Sequence, residues 1–146
     1  MIVGGSKYDT RGRACYKSVD NRYKILYDST MSDLPPIIKA AKFRGSSLRD
    51  LRAFPDKARR EAGQQIDQMQ RGLEPDDWKP MPTVGQGVQE IRIWDEAGTF
   101  RVIYVAKFES AIYILHCFQK KTEQTNKADL DLAKKRYREL VKEFTL

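Results

Sequence analysis

Three consecutive β-strand patterns near the middle of the chain limit the possible folds more than any other feature. Ile91 and Ile93 alternate with polar neighbours, and two further strand-like stretches, GTFRVIYVAK and AIYILHCFQKK, follow after short turn sequences. An apolar residue at every second position is typical of a strand that packs one face against a core. The chain therefore predicts an antiparallel meander over this region.

The first turn sets the register of the first two of these strands. Asp95-Glu96-Ala97-Gly98 favours a hairpin loop of four residues, which places Arg92 directly opposite Arg101. Like charges in this position destabilise a strand pair by about 0.2–1 kcal/mol. We therefore expect an anionic ligand to compensate the two arginines.

The second turn is predicted at Glu109-Ser110. It pairs Tyr104 with Leu115, Ile103 with His116 and Arg101 with Phe118. One sheet face is then almost wholly apolar and is the expected core side, formed by Ile91, Ile93, Phe100, Val102, Tyr104, Ala106, Tyr113, Leu115 and Cys117. The other face has an apolar half with Ile103, Val105, Ile112 and Ile114. Its opposite end gathers Glu90, Arg92, Arg101, His116 and Lys120, with Lys121 just beyond.

Helical patterns flank the meander on both sides. A short helix is predicted from Ser47, a longer one from Pro55 to about Gly72, and a final one from about Asn126 to Phe144. A short strand near residues 40–43 and an edge strand around Trp78 complete the elements. The predicted class is α+β, with two N-terminal helices, an antiparallel β-sheet meander and a C-terminal helix.

One domain is expected to account for most of the 146 residues. Residues 1–30 show no regular periodicity, and we expect them to be a poorly structured N-terminal extension. Met31 is then a candidate start, and residues 31–146 form the folded domain. No apolar run is long enough for a membrane span, and the N-terminus lacks the apolar core of a secretory signal, so a cytoplasmic protein with no membrane association is expected.

The net charge of +7 favours a polyanionic or acidic partner. Eight Lys or Arg against two Asp lie between Lys39 and Arg60, where they form either a solvated surface or a contact surface. No glycine-rich phosphate loop supports nucleotide binding, and Cys15 and Cys117 lack the spacing of a metal site. We therefore expect no cofactor and no metal, and a buried, unreactive Cys117.

The segments GVQEIRIWDEAGTFRVIYVAK and AIYILHCFQKKT resemble the RelE/HigB superfamily of type II toxins, in particular its phage-derived HigB-like branch. The resemblance extends from about Phe43 to Glu143. It implies a RelE-like fold and a ribosome-dependent endoribonuclease that cuts mRNA and arrests translation. It also implies three partners: the ribosome, mRNA and a cognate antitoxin, expected to be a HigA-like helix-turn-helix protein.

The resemblance further implies roles for the charged end of the sheet. Arg101 falls on the family's strand arginine, which contacts the scissile phosphate, and Arg92 falls on a basic position of the preceding strand. Lys120 and Lys121 fall on the basic position after the last strand, which protonates the leaving 5′ oxygen or neutralises its charge. Glu90 stands where many members have lysine, and the C-terminal Tyr or Asp-Tyr-His element of some members is missing. The resemblance therefore does not identify the residue that acts as general base.

Several of these side chains also have a structural interpretation. His116, the only histidine, is either the general base or a satisfied structural residue. Glu90 either takes the proton or forms an ion pair with Arg92 or Arg101. Phe118 either stacks on an RNA base or packs in the core.

Two other classes of function are compatible with the same sequence. One is a ParE-like toxin that acts by binding DNA gyrase. The other is a basic module that docks RNA or an acidic protein without chemistry.

Overall fold

The computed structural model describes residues 38–145. The boundary expected at residue 30 lies outside them. The described chain has a mixed α+β fold with a five-stranded sheet and a C-terminal helix, as predicted. Its elements are β1 (Ala40–Phe43), α1 (Ser47–Arg52), α2 (Asp56–Gln70), β2 (Trp78–Pro80), β3 (Val88–Asp95), β4 (Gly98–Val105), β5 (Ala111–Lys120) and α3 (Lys127–Thr145).

The strand order is β1-β5-β4-β3-β2. Strands β2 to β5 form the predicted antiparallel meander, but β1 pairs with β5 in parallel, from Ala40 opposite Ala111 to Phe43 opposite Ile114. The prediction of a wholly antiparallel sheet is wrong at this edge. A parallel neighbour needs a long connection, and the two helices together with the meander supply it.

The β3–β4 hairpin has the predicted register, with Arg92 opposite Arg101 and Trp94 opposite Thr99. The predicted four-residue loop is wrong, because Asp95 pairs with Gly98 and only Glu96 and Ala97 connect the strands. Gly98 starts β4 with a φ of 134°, which side chains other than glycine rarely adopt. A Cβ atom there would also lie 2.7 Å from Nε2 of Gln119 on β5. The tight turn that brings the two arginines together therefore depends on this glycine.

The β4–β5 register is only partly as predicted. Arg101 faces Phe118 and Ile103 faces His116, but a bulge follows, and Tyr104 pairs with Ile114 instead of Leu115. One extra residue in β5 reverses the alternation beyond it. Ile112 and Ile114 therefore lie on the face predicted for Tyr113 and Leu115. Tyr113 and Leu115 lie on the face predicted for Ile112 and Ile114. The connecting loop spans residues 106–110 and is longer than the predicted turn at Glu109-Ser110.

Both faces of the sheet are packed, so the prediction of a single core side is wrong. On one face, Ala58, Ala62 and Ile66 of α2 pack with residues of β3, β4 and β5. On the other, Ala133 and Leu140 of α3 pack with a second cluster around Ile103, Val105 and Leu115. The near-continuous apolar runs VIYV and AIYIL explain this, because a strand buried on both faces loses its alternation.

The apolar stripes of the helices did not predict that the polar side chains of Gln65 and Arg136 are buried. Gln65 of α2 accepts a hydrogen bond from the Asp76 N–H (3.2 Å). Arg136 of α3 donates to the Leu115 carbonyl (2.8 Å) at the bulge and to Ser46 Oγ (2.9 Å). Arg136 therefore ties α3 to the bulged part of β5. Within residues 38–145, no helix combines the length and the apolar character needed to cross a membrane.

Candidate functional site

The candidate site is the half of the second sheet face that lies towards the β3–β4 turn. Helix α3 packs on the other half, over the cluster around Val105 and Leu115. The registers arrange the site as three cross-strand rows, which we call the charged face. The rows are Trp94, Thr99 and Lys120; Asp77, Arg92, Arg101 and Phe118; and Lys79, Glu90, Ile103 and His116.

Arg101 and Glu90 form a buried ion pair at the centre of the charged face. The guanidinium Nε lies 3.4 Å from Glu90 Oε1, and the two residues are 4% and 0% exposed. Within residues 38–145, neither Glu90 oxygen nor Arg101 Nε has a hydrogen-bond partner. Burial lowers the pKa of Arg101 below its ordinary value, while the Glu90 charge acts in the opposite direction. Of the alternatives for Glu90, the structure contains the ion pair with Arg101.

Arg92 is held by a different carboxylate, Asp77. Its Nε and Nη2 donate to Asp77 Oδ1 at 3.0 and 2.6 Å. The indole of Trp94 donates to the other oxygen, Oδ2, at 3.0 Å. The hydrogen bond from Trp94, with the one from Arg92, holds the pKa of Asp77 below its usual value. Asp77 therefore fixes two side chains of the charged face at once.

The opposition of Arg92 and Arg101 is therefore compensated inside the fold. Each arginine has its own carboxylate, Asp77 for Arg92 and Glu90 for Arg101. The pair therefore does not by itself require the expected anionic ligand, and the alternative of an ion pair with Glu90 is the one found for Arg101. Asp77 was missed because it precedes a short edge strand, whose register could not be read from the sequence.

Trp94 is the second residue that the site prediction missed. It is 60% exposed, and its ring lies over the Arg101 guanidinium, 5.6 Å from the ring centroid to Cζ. The alternation of β3 already places Trp94 on the same face as Arg92, which was the available signal. Phe118, the predicted stacking residue, is 8% exposed and belongs to the core.

His116 lies on the charged face but is tied to helix α3. Its Nε2 forms a 2.7 Å hydrogen bond with Oδ1 of Asp129, in the first turn of α3. The ring stacks on Phe118 at 5.0 Å between centroids and is 5% exposed. Within residues 38–145, the other ring nitrogen, Nδ1, is buried and has no hydrogen-bond partner. The bond to Asp129 and the low exposure favour the structural role for His116.

Replacing His116 with glutamine, or Asp129 with alanine, is expected to lower the free energy of unfolding by about 1–3 kcal/mol, because each change breaks a hydrogen bond of a buried group. Chemical denaturation of both variants measures this. The two losses should be similar and should not add in the double variant. A His116 variant with unchanged stability and abolished activity would contradict the structural assignment.

Lys120 ends β5 at the edge of the charged face, and Lys121 follows it directly. Thr99 Oγ1 donates to the Lys120 carbonyl (3.3 Å), which anchors the backbone there. Lys120 is partly exposed and Lys121 is exposed. No ion pair within residues 38–145 involves either ammonium group. They are the cations of this face that remain available to a ligand.

The basic segment near the start of the fold is partly neutralised. Arg44 forms a bidentate pair with Glu143 of α3, at 2.6 and 3.0 Å, and Arg59 pairs with Asp56 at 2.8 Å. Cys117 is buried, and burial raises the pKa of its thiol to about 12, so it is unreactive at neutral pH. Residues 38–145 contain no group of three or more His, Cys, Asp or Glu side chains arranged to hold a metal ion.

The comparisons with known proteins bear on this same region. Residues 49–138, more than half of the chain, match the model of the family described as phage-derived protein Gp49-like (DUF891). The match runs from α1 into α3 and includes all residues of the charged face. The search of curated proteins gives no match.

Proposed function

The chain belongs to the Gp49-like family of phage-derived proteins, a family of RelE/toxin-like proteins, and on this basis we propose that it is the toxin of a type II toxin–antitoxin system. In this proposal it belongs to the HigB-like branch and is a ribosome-dependent endoribonuclease that cuts mRNA and arrests translation. A cognate HigA-like antitoxin of the helix-turn-helix kind holds it inactive.

The observation that carries the proposal is the composition of the charged face. An arginine held in place by a buried carboxylate lies beneath an exposed tryptophan, and two unpaired lysines end the neighbouring strand. Fixed positive charges bind phosphate groups, and an exposed aromatic ring stacks with an unpaired base. Tryptophan and arginine are also frequent in protein–protein interfaces, whereas lysine is depleted there, so the two lysines beside them are what favours a phosphate ligand.

The reaction we propose is attack of a 2′ hydroxyl oxygen on the neighbouring phosphorus, with the hydroxyl proton released to solvent water. The new bond forms between the 2′ oxygen and phosphorus, and the bond from phosphorus to the 5′ oxygen breaks. The products are a 2′,3′-cyclic phosphate and a free 5′ hydroxyl. Arg101 is 4% exposed beneath Trp94 and must turn outward to donate to the phosphate oxygens, where it stabilises the negative charge that develops. Lys120 or Lys121 gives a proton to the leaving 5′ oxygen or neutralises its charge.

Glu90 acts in this scheme as a positioning residue for Arg101. It is fully buried and lies within 3.4 Å of the Arg101 Nε. A carboxylate in that place orients the guanidinium and keeps it charged in a buried setting. The two carboxylates that act on the Arg101 charge, Glu90 and Asp77, each pair with an arginine, and His116 is bound to Asp129.

The charged face therefore has cationic groups that can stabilise negative charge. Within residues 38–145, the carboxylates and the imidazole of this face are already paired with other side chains. We propose that the ribosome compensates for the lack of a free proton acceptor by holding the mRNA with its 2′ oxygen aligned for attack. Orientation of this kind is worth several kcal/mol of the barrier. Cleavage of free RNA at the same positions is accordingly expected to be slow.

Measurement of macromolecular synthesis after induction in living cells tests the proposal against the gyrase alternative. Incorporation of radiolabelled methionine should fall before incorporation of thymidine, because translation is the proposed target. Induction of a Lys120→Ala/Lys121→Ala variant is the control. An earlier fall in thymidine incorporation would favour a ParE-like toxin, and no effect on either would favour a non-catalytic binding module.

A further inference from the structure

We propose that Trp94 is the stacking platform for one unpaired nucleobase of single-stranded RNA, with the adjoining phosphate bound by Lys120 and Lys121. This inference rests on the proposed function and names the substrate feature that the charged face recognises. The sequence resemblance assigned base stacking to no residue, and the residue first considered for it, Phe118, is buried.

The indole of Trp94 is exposed and yet fixed in place. It is 60% exposed, while its N–H donates to Asp77 Oδ2 at 3.0 Å. Asp77 is itself fixed by two hydrogen bonds from Arg92 to its other oxygen. The indole is therefore held by the side chain of Asp77, the residue just before β2. Fixing the ring in advance reduces the entropy lost when a base binds.

The two faces of the indole differ. The Arg101 guanidinium lies 5.6 Å from the ring centroid and is itself 4% exposed, so it occupies the inner face of the ring. A planar base can then stack on the outer face, which is open to solvent. Stacking on an aromatic ring accepts any of the bases, because each has a π face. The platform therefore selects an unpaired base over a paired one and not one base over another.

The charges around Trp94 favour one path of the RNA backbone across the sheet. Asp95 and Glu96 follow Trp94 in the β3–β4 turn and repel phosphates from that side. Across the strands, Lys120 lies in the same row as Trp94, two strands away, or about 10 Å. A lysine side chain can cover much of that distance. The phosphate next to the stacked base is therefore drawn towards Lys120 and Lys121.

Fluorescence of the intact protein tests this directly, because the chain has two tryptophans, Trp78 and Trp94. In a Trp78→Phe background, Trp94 is the sole emitter. We expect saturable quenching by a single-stranded RNA oligonucleotide and little or none by an abasic oligonucleotide of the same length, which keeps the phosphates. Equal quenching by the two, or none by either, would overturn the inference.

Affinity and cleavage by the Trp94 variants complete the test. Trp94→Ala should bind the oligonucleotide roughly 5- to 100-fold more weakly, and Trp94→Phe should retain most of the affinity, since the phenyl ring still stacks. Thermal unfolding confirms that both are folded. On ribosomes, cleavage by Trp94→Ala that equals the wild type would overturn the inference and leave the proposed function standing. A wild type that cuts no mRNA but binds RNA through Trp94 would overturn the proposed function and support the inference.

Discussion

Replacing Arg101 with alanine is expected to lower the rate of mRNA cleavage on ribosomes by about 100- to 1,000-fold, the effect of removing one donor to a developing oxyanion. The same change is expected to lower the free energy of unfolding by up to about 3–5 kcal/mol, because the buried Glu90 carboxylate then keeps only the partly exposed Lys79 ammonium group, 3.8 Å away, as a partner. Single-turnover cleavage on purified ribosomes and chemical denaturation measure the two effects.

A double variant separates the loss of chemistry from the loss of stability. In Glu90→Gln/Arg101→Ala, the buried charge is gone together with its partner, so most of the lost stability should return. Cleavage should stay as low as in Arg101→Ala, because the phosphate still lacks its guanidinium. If the double variant regained activity along with stability, Arg101 would be a folding residue only.

Removing the two lysines at the end of β5 is expected to have the second largest effect. Lys120→Ala/Lys121→Ala should cut mRNA about 100-fold more slowly, since proton transfer to a leaving group contributes at least that factor. The free energy of unfolding should stay within about 0.5 kcal/mol of the wild type, because neither ammonium group takes part in an ion pair within residues 38–145. Single-turnover rates and denaturation curves of the same preparations measure both quantities.

Lys134→Ala/Lys135→Ala is the matched control for that variant. It removes the same two charges from an adjacent lysine pair, but one on helix α3 and outside the three rows that define the charged face. It should cut at nearly the wild-type rate. Equal losses in both variants would mean that net charge, and not the position of Lys120 and Lys121, supports activity.

The β3–β4 hairpin and the placement of Arg92, Arg101 and Lys120 on one sheet face could be predicted because they depend on local signals. A turn sequence and strict alternation fix a register over a few residues. The bulge at Leu115 has no such signal, because a buried leucine fits either face of an apolar run. One unpredicted residue was enough to exchange the faces of Ile112 to Leu115.

The partners of the site residues could not be predicted, for a different physical reason. Asp77 is 15 residues from Arg92 in sequence, and Asp129 is 13 residues from His116. Both contacts form only after an edge strand and a helix have packed on the meander. The sequence offered Glu90 as a partner for either arginine and a structural role for His116, but it could not identify Asp77 and Asp129 as the partners of Arg92 and His116.

The most direct test of the central claim is to map the cleavage of an mRNA by the wild type and by Glu90→Gln/Arg101→Ala, with ribosomes and without them. We predict that the wild type produces 2′,3′-cyclic phosphate and 5′ hydroxyl ends on ribosome-bound mRNA and very few on free RNA. The double variant should produce no such ends on either RNA. Efficient cleavage by the double variant, or wild-type cleavage of naked RNA at the same sites and rate, would contradict the account.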